Sequence, residues 1–248
     1  MSTAARMHQP IHAAIIGASG GIGAALVRRL AERDGSGHIH ALARSAVSFD
    51  LPQVTCQSLD FFSEDSIRQA AEEIHSAGPL DLVIVATGIL HRDKLIQPEK
   101  SMADIDAAQM ADVFAINTIG PTLVAKHFLP LLRPDSRTVF AAISARVGSI
   151  EDNRLGGWIS YRASKAALNM VTRTLAVEQA RRRPQSLVVS LHPGTVATAL
   201  SKPFTARVAE NKLFSTERAA AQLLDVIDGL PDDASGGFFA WDGKRIPF

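Results

Sequence analysis

Ile11-His12-Ala13-Ala14-Ile15-Ile16 runs directly into Gly17-Ala18-Ser19-Gly20-Gly21-Ile22-Gly23. The first stretch reads as a short buried strand stopped by Gly17. The chain that follows, Ile22 to Glu32, reads as a helix, with Leu26, Leu30 and Arg33 spaced three or four apart. The glycines at 17, 21 and 23 have the spacing Gly-x-x-x-Gly-x-Gly. That spacing lets the backbone turn sharply and brings amide groups near a pyrophosphate at a helix N-terminus. Gly20 adds freedom and Ser19 offers a hydroxyl. The turn is neither Gly-x-Gly-x-x-Gly nor a phosphate loop, since no Lys-Ser/Thr pair follows it. Strand, glycine turn and helix in this order predict a dinucleotide seat at the start of an α/β fold.

Outward from this unit, strand-like and helix-like runs alternate. Strands are expected at Ile39 to Ala43, Val54 to Leu59, Leu80 to Ala86, Thr138 to Ile143, Ser186 to Leu191 and Phe238 to Trp241. Helices are expected from Ser63 to about Ser76, within 104 to 132, from Ser160 to Gln179 and from Glu217 to Ile227. Fully apolar strands separated by helices imply parallel pairing with both sheet faces covered. The expectation is one doubly wound α/β Rossmann domain over 1–248, with about seven strands. Segments 87 to 103, 144 to 159 and 194 to 214 follow the C-terminal ends of strands, where ligands sit in such sheets. Residues 195 to 214, with Leu200, Pro203, Phe204 and Val208, are expected to close over a substrate.

Composition narrows the function classes. The chain has 248 residues, 46% hydrophobic and 21% charged, with a net charge of +1. That balance gives no basic footprint for nucleic acid. Arg181-Arg182-Arg183 follows a long amphipathic stretch and reads as a helix C-terminus favoured by the macrodipole. Cys56 is the single cysteine, which excludes an intrachain disulfide and a paired-cysteine metal site. No apolar run is long enough for a signal peptide or a membrane span, so a cytoplasmic protein is expected. His38 and His40 lack metal-ligand spacing with any acid or cysteine, and no metal site is predicted. Met102, Met110 and Met170 read as gap-filling core or lid residues.

The chemistry concentrates in Ser160-Tyr161-Arg162-Ala163-Ser164-Lys165. At i and i+4 on a helix, Tyr161 and Lys165 face the same way. A nearby ammonium favours the phenolate and is expected to lower the Tyr161 pKa from its ordinary value near 10. Such a phenol can give a proton to a carbonyl oxygen as hydride reaches the carbon. At the other end of the predicted seat, Arg44 closes the second strand where an acid would be expected for a ribose diol. Its guanidinium suits a 2′-phosphate and predicts NADP rather than NAD. Asp60 closes the third strand, to accept from an adenine amino group or to cap the next helix. His192, just before Pro193, reads as a packed strand-end residue or a second acid/base.

Taken together, the glycine turn, Asp60, Asn117-Thr118-Ile119-Gly120, Tyr161 with Lys165, and Pro193-Gly194-Thr195-Val196 with Thr198 resemble the classical short-chain dehydrogenase/reductase family. The likeness covers nearly the whole chain. Ser144 to Gly157, Tyr161 to Asn169 and the ending Trp241 to Phe248 resemble a narrower group, which holds the C-factor signalling proteins and the sniffer carbonyl reductases. The resemblance implies an oxidoreductase passing hydride between NADP(H) and a carbonyl or alcohol. It makes Tyr161 the acid/base, Lys165 the ribose ligand that tunes it, and Asn117 the holder of a relay water. It implies cofactor contacts from Gly17, Ser19, Gly21, Ile22, Gly23, Arg44, Asp60, Ala86, Gly88, Asn117, Tyr161, Lys165, Pro193, Gly194, Val196 and Thr198. A homodimer or homotetramer built on the long helices is implied as well.

Two departures stand out. Ala145 occupies the position of the serine that polarises the substrate carbonyl in the family, leaving Ser144, Ser149 or no serine for that role. Val85-Ala86-Thr87-Gly88 replaces the family's Asn-Asn-Ala-Gly. The lost serine supports a second reading, a dinucleotide-binding signalling or scaffold protein with little turnover.

Overall fold

The computed structural model describes residues 7, 9–33, 36–93, 95–206 and 209–248. Val208 of the expected substrate loop lies outside them. Strand β1 (Ile11–Ile16) is buried along its whole length and leads through the glycine turn into α1 (Gly21–Ala31). The chain continues through β2 (Ser36–Ala43), β3 (Val54–Ser58), α2 (Glu64–His75) and β4 (Leu82–Val85). Ser63 caps α2, its hydroxyl accepting from the Ser66 amide, as an N-terminal serine before an amphipathic run should.

The expected helical region within 104 to 132 is two helices, α3 (Ala107–Phe114) and α4 (Gly120–Phe128), joined by a π-turn over Ala115–Ile119. Then come β5 (Thr138–Ile143), α5 (Ile159–Arg182) and β6 (Ser186–His192). Two short strands, β7 (Thr195–Val196) and β8 (Leu213–Phe214), pair with each other alone. Helix α6 (Thr216–Asp228) and β9 (Phe238–Ala240) complete the fold.

Seven strands form one sheet in the order β3-β2-β1-β4-β5-β6-β9, every pairing parallel. Strand β1 pairs with both β2 and β4. The strand order therefore reverses at β1, which opens a crevice at the C-terminal ends of β1 and β4. The period of two sorts the core into two layers. Ala13, Ile15, Leu82 and Ile84 pack with Leu26, Leu30, Leu223 and Ile227 on one face. Ala14, Ile16, Val83 and Val85 pack with Ile67, Ile74, Phe128 and Leu168 on the other. Met102 and Met170 contradict the core reading, being 84% and 66% exposed. Arg183 closes α5, its guanidinium donating to the carbonyls of Leu129 and Pro130.

Candidate active site

Two cavities meet at the crevice. The smaller, about 350 Å³, is lined by Gly17, Ser19, Arg44, Ser45, Asp60 and Arg92 among others. The larger, about 590 Å³, takes its walls from Gly21, Ile22, Ser144, Ala145, Tyr161, Lys165 and the segment Pro193 to Val196 with Thr198. Gly20 and Ala86 to Ile89 line both, so the two form one trench.

The glycines make this trench possible. Gly17 has φ +94°, and a Cβ there would meet Thr87 Cγ2 at 2.8 Å. A Cβ on Gly23 would lie 2.1 Å from the Gly17 carbonyl oxygen. Gly23 therefore lets α1 begin directly under the turn and does not itself line either cavity. Asp60 faces the smaller cavity while its Oδ1 accepts from the Phe62 amide at 3.1 Å. The cap of α2 belongs to Ser63 and not to Asp60. Arg92, which lines the same cavity as Arg44, escaped the sequence reading because it sits in a loop with no period.

The first turns of α5 carry the chemical end. Tyr161 and Lys165 are 8% and 2% exposed and line the larger cavity together. Lys165 Nζ donates to the Ile143 carbonyl at 2.9 Å. Gly148 lets the loop after β5 pack directly on α5, since a Cβ there would stand 2.8 Å from the Lys165 backbone carbon and Cβ. Burial disfavours both charged forms. It pushes the Tyr161 phenol up to about 12 and the Lys165 ammonium down to about 7. The expected lowering of the phenol by its neighbour is thus reversed, because burial disfavours the phenolate.

Asn117 is fully buried in the π-turn. Its Oδ1 accepts from the Ile89 amide at 2.7 Å, and its Nδ2 donates to the Ile89 carbonyl at 2.9 Å and to Ser164 Oγ at 3.1 Å. The side chain clamps the loop after β4 against α5. It touches neither cavity. A π-turn of this kind marks a functional position in a helix.

The structure places the two candidate serines differently. Ser144 lines the larger cavity, and its buried Oγ has no partner among the described residues. Ser149 lies outside the cavity, its Oγ accepting from the Asp152 amide at 3.1 Å. Thr87 Oγ1 and His192 Nδ1 are also buried without partners on the cavity wall. Burial holds His192 down to about 4, with Arg146 acting in the same direction and Asp242 against it. Buried orphan polar atoms are rare in native proteins. Three of them on one wall indicate groups shaped for a ligand.

Aromatic side chains close the outer end. Phe204 meets Trp158 edge-on at 5.1 Å between centroids and His91 at 5.7 Å. These residues come from the loops after β6, β5 and β4. Among the described residues no group of histidines, cysteines and acids is placed to hold a metal.

A family model described as short chain dehydrogenase matches residues 11–209. The chain belongs to the short-chain dehydrogenase family. It is similar to C-signal of Myxococcus xanthus, at 36% identity over 172 residues, covering 69% of this chain and 94% of that protein. The structure of NADPH-bound carbonyl reductase from chicken fatty liver superposes with a TM-score of 0.84 at 26% identity, covering 97% of this chain and all of that one. The carbonyl reductase Sniffer of D. melanogaster has the same fold, with a TM-score of 0.84 at 23% identity and 97% coverage of this chain. Family membership makes the chain an NADP-dependent oxidoreductase.

Proposed function

We propose that this short-chain dehydrogenase is an NADP-dependent reductase of small aldehydes or ketones, with Tyr161 as the acid. The observation that carries the reading is the trench itself, lined by Arg44 and Arg92 in its smaller cavity and by Tyr161 with Lys165 in its larger one. The glycine turn, Ser19, Ile22, Ala86, Gly88, Asp60, Pro193, Gly194, Val196 and Thr198 would hold the cofactor's length. Arg44 and Arg92 give the 2′-phosphate its counter-charge. Bound NADPH supplies the hydride. Tyr161, held protonated by burial, gives its proton to the carbonyl oxygen, and the product is the alcohol. Ser144 Oγ donates a hydrogen bond to the same oxygen. Lys165 restores the Tyr161 proton, while Asn117 holds the loop after β4 against the helix that carries both.

The cavity walls are mostly apolar, and no aspartate or glutamate lines the larger cavity. A flat, uncharged carbonyl compound therefore fits better than a cationic one. The outward side chains of Ile119, Met170 and Val177, each more than 45% exposed, support a homodimer or homotetramer through the π-turn and α5. Among the described residues no helix is long and apolar enough to cross a membrane. A cytoplasmic setting agrees with the unpaired Cys56.

The test is a panel of aliphatic and aryl carbonyls assayed with NADPH and NADH. Carbonyl-dependent oxidation of NADPH is expected. A second reading, a dinucleotide-binding signalling protein, is favoured by Ala145 in the serine position and by the likeness to C-signal. Tight NADPH binding with no turnover of any panel member in either direction would select it.

A further inference from the structure

Helix α5, which carries Tyr161, begins without a cap of its own. Its N-cap residue is Trp158, in the left-handed conformation at φ 51°, and no side chain from the local sequence bonds the first turn. Gly156 and Gly157 before it also have positive φ. A helix start leaves amide groups without partners, and a buried one costs free energy.

The partner arrives from another loop. Glu99, only 2% exposed, lies between β4 and α3. Its two carboxylate oxygens accept from the Ser160 amide at 3.3 and 3.2 Å. Ser160 Oγ donates to the same carboxylate. The Glu99 carbonyl accepts from the Trp158 amide at 2.6 Å. One residue thus binds the chain on both sides of Ile159, immediately before Tyr161. Glu99 is itself latched, since Gln109 Nε2 donates to Oε1 at 3.5 Å while Gln109 Oε1 accepts from the Gln97 amide at 2.7 Å.

We propose that Glu99 is a positioning residue for catalysis: it caps α5 from a distant loop and so sets the place of the Tyr161 phenol and the Trp158 wall. The acceptor oxygens do this work, and their reach matters more than their charge. A glutamine keeps an acceptor at the same reach. An aspartate keeps the charge but withdraws it by a methylene. The inference rests on the reductase reading for its kinetic readout only.

Tyr161 is the sole tyrosine of the chain, so one carbon-13 tyrosine resonance, or one tyrosinate absorbance titration, reports its surroundings without assignment. In Glu99→Gln, kcat should stay within about threefold of wild type and the tyrosine titration should be unchanged. In Glu99→Ala and Glu99→Asp, kcat should fall on the order of 10- to 100-fold, the scale of a small misplacement of a catalytic group. Affinity for NADPH should change less than about twofold, and the tyrosine should ionise nearer the unperturbed value of about 10. Should Glu99→Ala fail to fold, the Gln and Asp variants decide. Wild-type kcat and titration in Glu99→Asp, with impairment in Glu99→Gln, would overturn the proposal. So would a Glu99→Ala protein that is less stable yet unchanged in kcat and titration. If the wild type turns over no carbonyl, the reductase reading fails, while the tyrosine signal still tests Glu99.

Discussion

At the residue scale, burial disfavours charge at the candidate site. A phenol held at about 12 and an amine held at about 7 suit reduction, where the phenol must arrive protonated. Because Tyr161 is the only tyrosine, an absorbance titration should show no tyrosinate at pH 10; half-ionisation there would contradict the buried acid. Ser144→Ala should lower kcat/KM by on the order of 10²-fold, the scale of one lost oxyanion donor. Ser149→Ala should leave kcat/KM nearly unchanged, since its hydroxyl serves the Asp152 amide. The reverse ranking in steady-state kinetics would assign the donor to Ser149. Arg44→Asp should weaken NADPH use by roughly 10- to 150-fold, the loss of a charge-assisted bond worth about 1.5–3 kcal/mol, while sparing NADH. Equal losses with both cofactors would remove Arg44 from the 2′-phosphate site. Tyr161, Lys165 and Arg44 stood out in the sequence because spacing and residue type suggest a chemistry, and all three line the trench. Glu99 did not, because it reaches Ser160 from a loop 61 residues away, a contact that no local pattern encodes.

At the scale of elements, long periodic segments revealed themselves and short ones did not. The apolar run Thr138–Ile143 and the strand Ser186–His192 match their expected bounds within one residue. Strands β7 and β8 have two residues each, too few for a period of two to show. The π-turn at Ala115–Ile119 was equally hidden, since its side chains keep an ordinary helical pattern. The segment after β6 matters most for substrate choice. Phe204 reaches Trp158 across the cavity mouth, and aromatic pairs gain about 0.5–1.5 kcal/mol beyond burial. Phe204→Ala should therefore raise KM for aryl ketones by roughly threefold to tenfold and leave short aliphatic aldehydes unaffected. A uniform change across both substrate classes would show that Phe204 merely stabilises the loop.

At the scale of the whole molecule, parallel strands covered on both faces leave little room for charge, and buried histidines expose the consequence. His12 and His40 are 9% and 3% exposed, with their Nε2 atoms 2.9 Å apart. His12 Nδ1 lies 3.1 Å from the Pro79 carbonyl and His40 Nδ1 lies 3.1 Å from Gln57 Oε1. The ring of His38 meets both, and Asp81 with its partner Arg133 stands beside His12. Burial is the largest cause that lowers His12, and it holds His40 down to about 4. His192, on the opposite side of β1 in the strand order, is held at about 4 as well. The unfolded chain binds these protons near 6.5, so between about 6.5 and 4 it holds protons that the folded chain refuses. The stability that His40 and His192 contribute is complete above 6.5 and is lost as pH falls toward 4, and His12 acts in the same direction. Each such histidine adds up to about 1.4 kcal/mol per pH unit to the slope. Urea unfolding at pH 7.5, 6.0 and 5.0 should show a falling midpoint with an unchanged denaturant slope. Replacing His192 with asparagine should flatten that fall without removing it, because the His12–His40 pair remains. A midpoint constant from pH 7.5 to 5.0 would mean that the buried rings accept protons in place, and the neutral interior drawn from their packing would not stand.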